Sequence, residues 1–226
     1  APRQVIVDGA GRIVVRSEHL YGDVGATLVR LTAAGALDTA FGTGGVLTLS
    51  EPVTFAATQS DGALILLVTR TTTGSTSNVV ALRVTANGRL DDGFGIAGSI
   101  GDVGAILAIA VAPGDRIMLA TTSTARRFQA NGAIDTSYGN SGVATFASPV
   151  HAAWIEPGGR VGVVGAASVA RLQADGSPDS TYRAGVSTAS ASGGISDGRT
   201  HSVSVWPQAP VETLPLVAQM STATRP

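Results

Sequence analysis

One signature occurs four times in this chain, and it constrains the fold more than any local pattern, because a fixed period means one unit of structure built repeatedly. It reads Arg, apolar, x, Ala, x, Gly, x, x, Asp, x, x, aromatic. The copies run from Arg30 to Phe41, Arg83 to Phe94, Arg127 to Tyr138 and Arg171 to Tyr182. Their aspartates, Asp38, Asp91, Asp135 and Asp179, are therefore 53, 44 and 44 residues apart. A second signature, a Gly-containing turn followed by a short apolar run, precedes each copy: Asp8 to Val15, Ser60 to Leu67, Pro113 to Leu119 and Glu156 to Val163. Two signatures in constant order define a unit.

Between the signatures lie β-prone segments such as Ala26 to Leu31 and Val79 to Val84, which alternate apolar and polar side chains as half-buried strands do. After each aromatic, a Gly-rich turn leads into another short run, as in Gly42 to Leu49. This predicts three or four strands per unit. No stretch keeps a 3.6-residue period over a helix length, and Gly or Pro interrupts every candidate window. A unit of about 45 to 55 residues with four short strands has the size of a propeller blade.

The expected fold is therefore all-β: a small β-propeller of four to five blades, each a three- to four-stranded antiparallel sheet, with the last blade incomplete. One domain, 1–226, is expected to hold units at about 4–53, 54–106, 107–150 and 151–200, a partial unit at 201–220 and a tail at 221–226. Thr200 to Pro207 resembles Val150 to Pro157, so a fifth unit begins without finishing. Either the ring closes with a reduced last blade, or the array is open and pairs with another chain.

Composition fits this reading. Hydrophobic residues make up 44% and charged residues 14%, enough for a packed core, while aromatics are only 4% and glycines number 29. A net charge of −1, with Arg as the sole basic residue type besides three His, argues against a nucleic-acid partner, which would need a basic face. No apolar run approaches the ~20 residues of a membrane-spanning helix, so no membrane insertion is expected. Cysteine is absent, which removes disulfides and thiolate chemistry. The start Ala1-Pro2-Arg3 fits a mature chain after signal-peptide removal and fits a trimmed one equally.

The segment Arg30 to Val46, with its Arg-Leu-x-Ala-x-Gly-x-Leu-Asp-x-x-Phe-Gly-x-x-Gly-Val pattern, resembles the delta-60 repeat family of bacterial tandem repeats. The resemblance covers roughly residues 4 to 190. It implies a propeller and a bacterial source, and no general activity, substrate or cofactor. The fourth copy departs from the pattern, since Arg183 stands where the others have Gly42, Gly95 and Gly139.

The repeated Asp residues suggest a ring of carboxylates. Followed by an aromatic and then Gly, however, they suit turn capping through backbone N–H groups, so no metal is assigned to them. Arg30, Arg83, Arg127 and Arg171 read as structural, paired with acidic groups between blades. Gly139 to Gly142 has the small residues of a serine nucleophile's setting, but it aligns with Gly42 to Gly45 and Gly95 to Gly98 and so reads as a blade turn.

The non-repeating feature is a pair of His-Trp segments, His151 with Trp154 and His201 with Trp206, which form the candidate ligand site. The positions aligned with His151 are Arg3, Thr54 and Leu107. These observations lead to a non-enzymatic binding or scaffolding module, secreted or displayed on a bacterial surface, with an unknown protein or glycan partner and no cofactor. The alternatives are an enzyme or metal protein with a site at the channel mouth near His151 and His201, and a structural array assembling as a homo-oligomer through an open edge.

Overall fold

The computed structural model describes residues 2–18, 25–71, 77–165 and 169–182. The chain is all-β there, and no helix occurs among the described residues. Four antiparallel meanders follow one another. The first sheet takes β1 (Pro2–Val7), β2 (Ile13–Glu18), β3 (Ala26–Leu31) and β4 (Val46–Leu49). The second takes β5 (Val53–Thr58), β6 (Leu64–Thr71), β7 (Ser77–Val84) and β8 (Ser99–Ile100). The third takes β9 (Ile106–Ala112), β10 (Arg116–Thr121), β11 (Thr124–Phe128) and β12 (Val143–Thr145), and the fourth β13 (Val150–Ile155), β14 (Val161–Gly165) and β15 (Val169–Leu172). The position of a fourth strand in the last sheet falls outside the described residues, as do the expected partial unit 201–220 and the tail 221–226.

Turn chemistry dictates the hairpins. The second sequence signature is the link between the first two strands of each sheet, with Gly11, Gly62, Gly114 and Gly159 in the left-handed region at φ +76, +83, +77 and +82. In the first link Asp8 accepts hydrogen bonds from the backbone N–H of Ala10 and Arg12, both at 2.9 Å. The Arg-to-aromatic signature begins at the end of the third strand, turns, and leads into the fourth.

The core lies between sheets rather than within one. Val14 and Leu28 of the first sheet meet Leu64, Leu66 and Leu82 of the second. Ile65 and Leu67, on the other face of β6, meet Ile117 and Leu119 of the third, and Met118 and Ala120 then meet Val161 and Val163 of the fourth. A strand packed on both faces must be apolar at every position, and Leu64 to Val68 is such a run, no residue of it more than 1% exposed. Among the described residues the outer face of the first sheet has no such cover: Val5 and Val7 in β1 are 61% and 62% exposed.

Candidate functional site

The repeated residues converge on the seams between sheets. Arg30 donates from Nε to Asp38 of its own sheet at 2.8 Å and from Nη1 to the carbonyl of Ala86, in the next sheet, at 2.5 Å. Arg83 does the same with Asp91 at 2.7 Å and the Ala130 carbonyl at 3.0 Å, and Arg127 with Asp135 at 2.8 Å and the Ala174 carbonyl at 2.6 Å. Ala86, Ala130 and Ala174 are the alanines of the following copies of the motif. The acidic partner of each Arg is thus intrachain and local, eight residues on. What crosses the seam is a bond to main chain, which corrects the expected acidic pairing between units.

The aromatic sits beneath the guanidinium. Arg30, Arg83 and Arg127 lie 4.5, 5.5 and 4.9 Å from the ring centres of Phe41, Phe94 and Tyr138, which are fully buried. Beside each ring, the amide of Gly42, Gly95 or Gly139 donates across the seam to the carbonyl of Asn87, Asn131 or Asp175 at 2.9, 2.8 and 2.7 Å. The motif glycine of the next sheet must then be bare. A Cβ on Gly88 would lie 2.3 Å from the Gly42 nitrogen, and on Gly132 or Gly176 2.8 Å from the equivalent atom. Arg, Asp, aromatic and the glycine after it therefore form one clasp, and the Ala-x-Gly turn of the following sheet forms its socket.

The aspartates cap their turns. Asp38, Asp91, Asp135 and Asp179 each accept from the amide two residues on, at 3.2, 3.0, 3.2 and 3.1 Å. The Ser137 hydroxyl, with Arg127 beside it, holds the Asp135 carboxyl down to about 2 against the cost of burial. Thr181 and Arg171 hold Asp179 down to about 2 in the same way. Tyr138 is pushed up to about 12 by burial, and its hydroxyl has no hydrogen-bond partner among the described residues.

The His-Trp segments are placed differently. His151 is exposed on β13 at a register shift between Val150 and Ala152. Arg3, Thr54 and Leu107 occupy the corresponding shifts in β1, β5 and β9. The alignment of these four positions thus marks a β-bulge repeated in the first strand of every sheet, a device that re-aims a side chain. Their chemistry does not repeat: Arg3 pairs with Glu18 at 2.9 Å, Thr54 donates to the Leu67 carbonyl at 3.2 Å, and Leu107 packs on the core.

Trp154 lies against Gly162, where a Cβ would be 1.9 Å from the indole, on the face of the fourth sheet that points away from the third. His201 and Trp206 lie outside the described residues, as does Arg183. Among the described residues, no group of three or more His, Asp or Glu side chains is placed to hold a metal ion, and no helix is long and apolar enough to cross a membrane.

The motif also carries a surface feature that its sequence alone does not reveal. The apolar residue before each Asp is solvent-facing: Leu37, Leu90 and Ile134 are 47%, 50% and 41% exposed, and Pro178 is exposed at the fourth position. Each lies at the same corner of its sheet, bridged to the end of the third strand. Two clefts flank the seams. One of about 390 Å³ is lined by Gly114, Arg116, Gln129, Ala130 and Asp135, and one of about 540 Å³ includes Gly42, Leu47, Gly88 and Arg89.

One comparison, with a family model, agrees with the fold. A family model described as a domain of unknown function (DUF5122) beta-propeller matches residues 158–182, which hold the fourth Arg-to-aromatic copy and most of the turn signature before it. No curated protein matches the chain. Among solved structures, a gluconolactonase from Xanthomonas campestris is similar at 12% identity and TM-score 0.44, over 73% of this chain and 54% of that one. A putative gluconolactonase is similar at 14% identity and TM-score 0.42, over 74% of this chain and 56% of that one. The chain spans about half the length of either structure.

Proposed function

We propose that this chain is a delta-60-type β-propeller module that acts by binding and scaffolding rather than by catalysis, displayed on or secreted from a bacterium, with a protein or glycan partner. The observation that carries the reading is the division of labour inside the motif. Its Arg, Asp and aromatic residues are engaged in the seams, while the residue between them, Leu37, Leu90 or Ile134, is turned out to solvent at equivalent corners of successive sheets. Regularly spaced apolar side chains on a rigid support suit recognition of an extended partner. Fold alone does not select an activity.

The test is retention of the purified chain on bacterial cell-wall glycan and on extracted surface protein, compared with a Leu37→Ser/Leu90→Ser/Ile134→Ser variant. Retention on one of the two should fall about tenfold in the variant, equivalent to about 1.4 kcal/mol. Retention on neither, or retention indifferent to the three substitutions, refutes the reading.

A further inference from the structure

The three described seams share one fastening, but the clefts beside them differ in chemistry. The cleft of about 540 Å³ at the first seam lies within the range of about 300–1,000 Å³ found for small-molecule sites. One wall is the turn into β4 and β4 itself, and the other is the socket turn of the second sheet, which carries Arg89. Arg89 is exposed, and its guanidinium has no hydrogen-bond or ion-pair partner among the described residues. Thr43 and Thr48 on the facing wall are exposed as well, and neither hydroxyl is engaged. Val46 and Leu47 add half-buried apolar surface, and no acidic side chain lines the cleft among the described residues. The main chain is already bonded: the amides of Gly42, Thr43 and Gly88 donate to the carbonyls of Asn87, Val46 and Thr85 at 2.9, 2.8 and 2.8 Å, and that of Arg89 donates to the Thr85 hydroxyl at 3.2 Å. At the positions of Arg89, Thr43 and Thr48 the second seam has Ala133, Ile96 and Gly101, and the third has Ser177, Asn140 and Thr145. The cleft of about 390 Å³ does hold a cation, Arg116, but Asp135 neutralises it at 3.0 Å.

We propose that the first-seam cleft binds a carboxylate-bearing sugar, a uronic acid residue of a glycan, with Arg89 on the carboxylate and Thr43 and Thr48 on the ring hydroxyls. A guanidinium offers two parallel N–H donors to the two oxygens of a carboxylate, a match that an ammonium does not make. Phosphate suits the cleft less well. Sites for that ion recruit several main-chain N–H groups, and the four amides here are bonded already. Threonine hydroxyls donate and accept, as sugar hydroxyls do, while Val46 and Leu47 offer apolar surface to the C–H face of a sugar ring. A few polar groups that fix orientation beside apolar lining are the usual composition of such a site. The exposed guanidinium is screened by salt, so binding weakens as ionic strength rises. This site goes beyond the scaffold reading and stands or falls separately from it, because Leu37, Leu90 and Ile134 line no part of the cleft.

The test is isothermal titration calorimetry on the full 226-residue chain at low ionic strength. The probes are a galacturonate tetramer and a glucuronate-containing tetrasaccharide, each also with its carboxyls reduced to alcohols, and inorganic phosphate. The wild type should bind at least one acidic sugar, and the reduced form of that sugar about tenfold more weakly, the scale of one charge-assisted hydrogen bond. Arg89→Ala should weaken the acidic sugar about tenfold and leave the reduced one unchanged, a pattern that damage to the fold does not produce. Its urea midpoint should match the wild type, since Arg89 has no partner to lose among the described residues. Arg89→Lys, which keeps the charge without the fork, should fall between the two. Thr43→Val/Thr48→Val should weaken the acidic and reduced forms alike, by about fivefold. No binding of either acidic sugar, equal binding of acid and reduced forms, an Arg89→Ala variant that binds like the wild type, or displacement of the sugar by an equal concentration of phosphate would each overturn the proposal.

Discussion

Replacing Gly88 with alanine tests whether the seam, rather than the individual sheet, is the unit of stability. Two costs add. Gly88 sits at φ +78, where a side chain costs about 1–2 kcal/mol. The new Cβ would also lie 2.3 Å from the Gly42 nitrogen and 3.1 Å from the Phe41 ring. Those groups must retreat, which weakens the 2.9 Å bond from Gly42 to the Asn87 carbonyl, worth about 1 kcal/mol, and strains a packed ring at about 1–3 kcal/mol.

The sum is about 3–6 kcal/mol. Gly35→Ala, at φ +81 with no atom of the described residues within 4 Å of its Cβ, meets only the first cost, so it should lose about 1–2 kcal/mol. Urea unfolding followed by far-UV circular dichroism measures both, and midpoints are comparable only if the slope is unchanged. Equal losses, within about 0.5 kcal/mol, would refute the claim that the seam is where Gly88 acts.

Tyr138→Phe removes a buried hydroxyl that has no partner and matches Phe41 and Phe94 at the equivalent position, so unfolding free energy should rise by about 1 kcal/mol in the same assay; a loss would show that the hydroxyl is bonded. Asp135 and Asp179 have carboxyls held near 2, below the ordinary 3.8, so their stabilisation is complete above about pH 4 and is lost as pH falls towards 2. Thermal midpoints should therefore be flat from neutral pH to about pH 5 and fall steeply below about pH 4, with a shallower fall in an Asp135→Asn variant; an unchanged acid limb would contradict the assignment.

The local part of the structure was legible from residue order. Alternation in Ala26 to Leu31 marked a strand, Gly11 and Gly62 marked hairpin links, and Asp followed by an aromatic and Gly marked a capped turn, because each depends on neighbours a few residues away. The partner of the motif Arg was not legible. Its second acceptor is the carbonyl of Ala86, Ala130 or Ala174, and a carbonyl carries no side-chain signature at 47 to 56 residues' separation. The alignment of His151 with Arg3, Thr54 and Leu107 captured a real backbone event, the bulge. It carried no shared chemistry, because a bulge constrains main-chain register and leaves the side chain unspecified. The exposed row of Leu37, Leu90 and Ile134 stood in plain view within the motif, but an apolar residue inside a turn of constant length reads as core until the register with the third strand is known.

The direction of the seam bonds has an evolutionary consequence. Each clasp reads the next repeat through main-chain oxygens, so the position presenting the second of them is free to change. It is Ala34, Asn87, Asn131 and Asp175 in the four copies. A mutation in one repeat needs no answering mutation in its neighbour, provided the glycine one position on stays bare. Copies produced by duplication can then drift apart in sequence while remaining interchangeable as building parts, and an inserted copy joins the array on arrival, because it brings both halves of the fastening with it.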